Sequence, residues 1–195
     1  MVLGLSALLF IGVILVAVVL AFYAIGIYNV LIQLRNQYEK SWSNIDVLLK
    51  QRADMIPNLI ETCRGYMQHE RETLERVTQA RSAWATAQGQ GVASQIEASN
   101  AVSGALKSLF AVAEKYPDLK ANQNFLQLQS SIESLENQIA ERRSAYNTTV
   151  QSFNTRIEIF PDLIVARLVN YQKAPYFEIA EADKAVPKVS FSPRT

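Results

Sequence analysis

No charged side chain occurs before Arg35, and from about Leu3 to Ile27 almost every residue is apolar. A segment of that kind has few environments open to it. At ~1.5 Å per residue it makes ~37 Å of helix, enough to cross a ~30 Å hydrocarbon layer with some tilt. Tyr23 and Tyr28 stand at its far end, where amphipathic rings favour the headgroup level, and are the expected membrane-interface residues. A cleaved signal peptide would start with basic residues and carry a shorter apolar core. Here the start has no Lys or Arg, the run is longer than that core, and no early cysteine offers a lipid attachment point. The expectation is an uncleaved transmembrane helix over residues 1–28.

Flanking charge sets the orientation. Nothing basic precedes the span, whereas Arg35, Lys40, Lys50 and Arg52 follow it. The positive-inside tendency places the N-terminus outside and the rest of the chain in the cytoplasm. Small residues recur in the span, with Ala17 and Ala21 four apart and Gly4, Gly12 and Gly26 elsewhere. That spacing lets two membrane helices approach closely.

Beyond Tyr28 the pattern turns amphipathic. Ile45, Leu49, Ile56, Leu59, Cys63, Tyr66, Leu74, Val77 and Trp84 fall at helical spacing, and "QGQG" at 88–91 supplies a stop. The first helix is therefore expected to run from the membrane to about Ala87. Pro57 lies inside it, yet the apolar seam passes from Leu49 through Ile56 to Leu59 without a slip. An interior proline removes the bond to the carbonyl four residues back, that of Ala53, so the spacing predicts a kink rather than an end.

A second helical segment, "VASQIEASNAVSGALKSLFAVAEKY", is interrupted by "YPDLK", where Pro117 fits a helix start. A third has the clearest period: Phe125, Leu128, Ile132, Leu135, Ile139, Arg142, Tyr146, Thr149 or Val150, Phe153 and Ile157. Arg142 is the one ionic residue read on that seam. "FPDLIVARLVNY" reads as a short fourth helix starting at Pro161, with Leu163, Ile164, Leu168 and Tyr171 available for packing. Trp42 and Trp84 read as packing residues, partner-binding anchors being the alternative. The fold class is all-α: an N-terminal transmembrane helix followed by an elongated antiparallel three- to four-helix bundle. The bundle is expected over residues 29–172, with a C-terminal tail over 173–195 that exposes Tyr176, Phe177 and Phe191.

The reactive side chains are few. Nineteen Lys and Arg face eighteen Asp and Glu, a balance that makes no electrostatic case for nucleic acid, and no such partner is expected. The single cysteine, Cys63, excludes an intramolecular disulfide and CxxC metal sites; it reads as a small, partly buried side chain, with a reactive thiol or an intermolecular disulfide as the alternative. The single histidine, His69, cannot furnish the paired Glu-x-x-His of a di-iron bundle and reads as a surface or boundary residue of the first helix. P-loop, dinucleotide, zincin and Gly-x-Ser-x-Gly patterns do not occur. In "HERETLER", Glu70, Glu72 and Glu75 alternate with Arg71 and Arg76, the pattern of a solvated, ion-paired face. No catalytic, cofactor-binding or metal residue is expected, and no cofactor.

Several stretches together carry a resemblance. "YNVLIQLRNQYEKSWSNIDVLLKQRADMIPNLIETCRGYMQHERETLERVTQAR", residues 28–81, resembles the conserved region of the LemA family. The later "YNTTVQSFNTRIEIFPDLIVARL" and "PYFE" resemble that family's C-terminal signature. The resemblance implies a bacterial inner-membrane protein with one N-terminal membrane helix, a helical-bundle domain and an N-out, C-in arrangement. It brings no catalytic residues, and a magnetosome-membrane protein in the same family suggests a part in membrane organisation. The expected function is a non-enzymatic membrane-anchored scaffold whose partners are the lipid bilayer and further copies of itself. The alternative is a cytoplasm-facing adaptor or regulator that binds another membrane or signalling protein.

Overall fold

The structure, a computed structural model, describes residues 2–178, so Phe191 lies outside the described residues. Among these the chain forms six helices and no strand. They are α1 (Val2–Arg64), α2 (Arg71–Ala87), α3 (Val92–Ala113), α4 (Pro117–Lys120), α5 (Gln123–Glu158) and α6 (Asp162–Leu168). The chain divides into two compact units. Of the described residues, one gathers 2–46 with Arg142–Pro175, and the other gathers Val47–Glu141 with Tyr176–Glu178.

The second unit is built from α1 beyond Val47, then α2, α3 and the first half of α5. Its core holds Leu49, Ile56, Leu59 and Cys63 from α1, and Val77 and Trp84 from α2. Val102, Leu106 and Leu109 from α3 and Phe125 and Ile132 from α5 complete it. The first helix is shorter than expected, ending at Arg64 instead of near Ala87. Gly65 is a poor helix former, and the N–H groups of both Tyr66 and Met67 turn back to the Cys63 carbonyl, at 3.0 and 2.8 Å. Met67 thereby enters the core, while Tyr66, expected on the seam, faces solvent. The turn at 88–91 does stop a helix, and Gly89 and Gly91 adopt φ of 91° and 102°, which side chains rarely tolerate. Further on, Asn122 caps α5 by accepting the Phe125 N–H at 3.1 Å.

Helix α1 continues through Pro57 on both sides. Proline has no N–H to give the Ala53 carbonyl, and Ala53 is buried. The missing donor comes from elsewhere: the Nε–H of Arg81, on α2, donates to that oxygen at 3.1 Å.

In the first unit α1 pairs with the end of α5. Tyr38 meets Phe153 with ring centroids 5.0 Å apart, and Trp42 meets Tyr146 at 5.6 Å. Numbers rise on one helix as they fall on the other, so the two run antiparallel. After the Phe160–Pro161 turn, α6 buries Asp162 and Ala166, while Ile164 and Leu168 stay exposed, contrary to the expected packing face. The reason is ionic: Asp162 pairs with Arg156 near the end of α5, and that contact turns its side of α6 inward. The helix closes with Asn170 at φ 56° and the Tyr171 N–H on the Ala166 carbonyl at 3.0 Å, a Schellman end.

The tail expected to be free is docked as far as Glu178. Asn154 takes the Ala174 N–H on its Oδ1 (2.8 Å) and donates its Nδ2–H to the Ala174 carbonyl (2.9 Å), as a strand partner would. The Tyr146 hydroxyl donates to the Pro175 carbonyl at 2.8 Å. Phe177 is 2% exposed, and only Tyr176 of the expected pair faces solvent.

The Arg81 contact makes a testable link to Pro57. Arg81→Met should destabilise the protein by about 1–2 kcal/mol in urea unfolding, since it leaves a buried carbonyl unpaired. In a Pro57→Ala background, where residue 57 regains its N–H, the same substitution should cost distinctly less. Equal losses in both backgrounds would show that Arg81 does not serve that carbonyl.

Candidate functional site

The most demanding polar group of the second unit is Arg52, which is 1% exposed on the core face of α1. Its Nη1–H groups donate to Glu136 Oε1 at 2.5 Å and to Ser103 Oγ at 2.7 Å. Its Nη2–H groups donate to the carbonyl and hydroxyl oxygens of Ser99, at 3.2 and 3.1 Å. Ser103 Oγ lies a further 3.1 Å from Glu136 Oε2. Burial pulls the guanidinium pKa below its ordinary value, and the Glu136 carboxylate pushes it back. An arginine starts so high that it remains charged at physiological pH. A groove of about 530 Å³ opens beside the pair, bordered by Ser103, Leu106, Lys107, Phe110, Glu136 and Asn137. The arrangement neutralises a charge and joins three helices.

Arg52 escaped the sequence reading, which assigned the ionic seam position to Arg142. Arg142 is exposed. The signal for Arg52 was available, because 45, 49, 52, 56, 59 and 63 alternate four and three apart and Arg52 fills a core place in that series. Because Glu136 keeps a third of its side chain open, it can rehydrate, whereas Arg52 cannot. Glu136→Ala should therefore lower stability by about 3 kcal/mol and Arg52→Met by clearly less. Urea midpoints in the reverse order would contradict this account of the charge.

The other singled-out groups are scattered. Cys63 is buried, and burial pushes its thiol up to about 11. A maleimide should leave it unmodified in the folded protein near neutral pH and label it fully in denaturant. Rapid labelling of the folded chain would restore the reactive-thiol alternative. His69 is exposed on the turn between α1 and α2, beyond the first helix. Arg71 pairs with Glu75 at 2.8 Å and Arg76 with Glu72 at 3.8 Å, both between exposed side chains. Among the described residues no three His, Cys, Asp or Glu side chains gather in a way that could hold a metal. Trp84 is buried in the core, and Trp42 is buried against Tyr146. Pro57 stands inside α1, Pro117 is the first residue of α4, and Pro161 occupies the position before α6, so the structure does not bring the three together.

At the other end, α1 is the one described helix long and apolar enough to cross a membrane. Tyr23 and Tyr28 are both exposed on it. The protected face of α1 begins at Ile27 and Leu31, inside the last turn of the apolar run, and passes directly into the aromatic pairs of the first unit. No linker separates the apolar helix from the packed one.

The LemA family model matches residues 41–191, from within α1 through the docked tail. The chain belongs to the LemA family. Protein LemA of Metamycoplasma hominis is 29% identical over 168 residues, covering 84% of this chain and 74% of that protein. Magnetosome protein MamQ 2 of Paramagnetospirillum magneticum is 23% identical over 175 residues, covering 77% of this chain and 64% of its own length. Magnetosome protein MamQ of Magnetospirillum gryphiswaldense is 20% identical over 174 residues with the same coverage. This chain thus spans less than two thirds of the magnetosome relatives. The LemA match takes in Arg52, Ser99, Ser103 and Glu136 as well as the Asn154-held tail.

Proposed function

We propose that this LemA-family chain is a non-enzymatic, membrane-anchored helical scaffold that self-associates and organises or shapes a bacterial inner membrane. The observation that carries the reading is the seamless junction in α1. The helix able to cross the bilayer is already packed at Ile27 and Leu31, so movement of the membrane segment is coupled to the folded unit beside it. Open space around Gly12 and Gly26 leaves the span free for close helix contacts with a second copy. The magnetosome proteins among the relatives favour a part in membrane organisation. The reading keeps the N-terminus outside and the folded part in the cytoplasm, as the basic residues after the span favour.

The adaptor alternative drew on an exposed aromatic tail. Phe177 is buried and drops out of that feature, which leaves exposed Tyr176 as its described part. Light scattering of the full chain in mild detergent, across a wide concentration range, tests the scaffold reading. A protein mass of two or more chains is expected at the higher concentrations. A monomer throughout would sink self-association, and with it the scaffold.

A further inference from the structure

The antiparallel register of the first unit sets the height of α6. Tyr38 lies against Phe153 and Trp42 against Tyr146, and α5 runs on only to Glu158, which those pairs place beside Val30 to Gln33. Yet α1 is covered closer to its N-terminus, at Ile27. Lys173, Ala174 and Pro175 are held back along α5 by Glu158, Asn154 and Tyr146, so among the described residues of this unit the chain from Ile159 to Gln172, with α6 in its middle, remains to cover it. At the far end of that segment the Arg35 guanidinium sits 5.8 Å from the Tyr171 ring centre. The segment therefore occupies the level between Ile27, the end of the apolar run, and Arg35, the first charge, a rise of ~12 Å along α1. For a helix that crosses a bilayer, this is the level of the acyl edge and the headgroups.

What α6 exposes there is apolar. Phe160, Ile164 and Leu168, spaced four apart, are 79%, 53% and 81% exposed, with Ile159 and Val169 open at the two ends. The row presents on the order of 400 Å², in the range of the largest apolar patch on a typical monomer, which is often a functional one. Elsewhere beyond the span, the large exposed apolar side chains of the second unit, Val47, Tyr66, Leu126 and Tyr176, are dispersed along the chain. The charge pattern points the same way. The one acid of α6, Asp162, is turned inward onto Arg156, and its one base, Arg167, is exposed.

We propose that α6 is a second membrane contact, lying in the interface beside the point where α1 leaves the bilayer. The Phe160–Ile164–Leu168 row enters the acyl–headgroup boundary, and Arg167 meets lipid phosphates of the same leaflet. The inference rests on α1 being a membrane anchor. It adds a contact that fixes the rotation of α1 about its own axis, which a lone span leaves free.

Nitroxide labels report the depth of each position in full-length protein. In a Cys63→Ala background, Phe160→Cys and Leu168→Cys sample the row, Val16→Cys the span and Gln127→Cys an aqueous surface. The proteins are reconstituted into vesicles of phosphatidylethanolamine and phosphatidylglycerol. Collisions with dissolved oxygen, relative to a water-soluble nickel chelate, should favour oxygen several-fold at 160 and 168 over 127, approaching the balance at 16. If 16 reads acyl while 160 and 168 match 127, the row is in water and this inference fails alone. Shielding of 160 and 168 from both reagents would mean that a second copy covers the row, which also overturns it. An aqueous reading at 16 removes the anchor and the inference together.

Discussion

A guanidinium can be held out of water only if its charge and most of its donors are met on the spot, and Arg52 meets that condition at both Nη groups through α3 and α5 at once, its buried Nε–H alone having no partner. The apolar seams of this unit would accept several registers, since leucine and isoleucine pack nearly as well one turn along. The polar centre does not. Ser99 and Ser103 stand one turn apart on α3, and Glu136 has to arrive from α5 at the same height. Sliding either helix by a turn would strand a buried charge, a loss of several kcal/mol. The register of three helices thus hangs on one side chain.

The next residue extends the same dependence to the remaining helix. Ala53 carries the carbonyl that Pro57 leaves without a donor, and Arg81 of α2 supplies one. Over the roughly one and a half turns from Arg52 to Pro57, α1 therefore relies on α2, α3 and α5 for groups that an ordinary helix satisfies internally or leaves in water. Proline in a helix is usually discussed as a defect of that helix. Here it also creates an acceptor that selects a neighbour, because only a donor from outside can complete Ala53.

The sequence was most legible where periodicity alone decides. The seam of α5 could be read from Phe125 through Ile132, Leu135 and Ile139 to Tyr146, Phe153 and Ile157, and it failed at Arg142, where the series meets a charge that faces solvent. Arg52 occupied a core place too, but a charged residue in an amphipathic pattern reads as solvent-facing unless its partners are known, and those are 47 to 84 residues away. The end of α1 was missed because the apolar spacing runs past Gly65 towards Leu74, and backbone closure on Cys63 leaves no trace in spacing. The inward face of α6 depends on Arg156, across a turn. The docked tail has no period at all, being held by the amide of Asn154 and the hydroxyl of Tyr146. Local pattern reveals helices; contacts between distant polar groups decide how they are used.

The membrane-proximal unit shows the same division of labour. Its helices follow from apolar spacing, but what joins the span to the fold is continuity of one face of α1. Ile27, Leu31, Tyr38 and Trp42 succeed one another along that face, each buried or set against an aromatic partner. A flexible connection would let the span rotate without disturbing the folded unit. A helix packed from its last apolar turn onward cannot do so, because turning it by even a third of a revolution would lift Leu31 and Trp42 out of their contacts and bring polar residues such as Gln33 and Lys40 in. The rotation of the span and the packing of the unit are therefore a single variable. Whatever holds one face of this unit against the bilayer also selects which face of the span is offered to its neighbours.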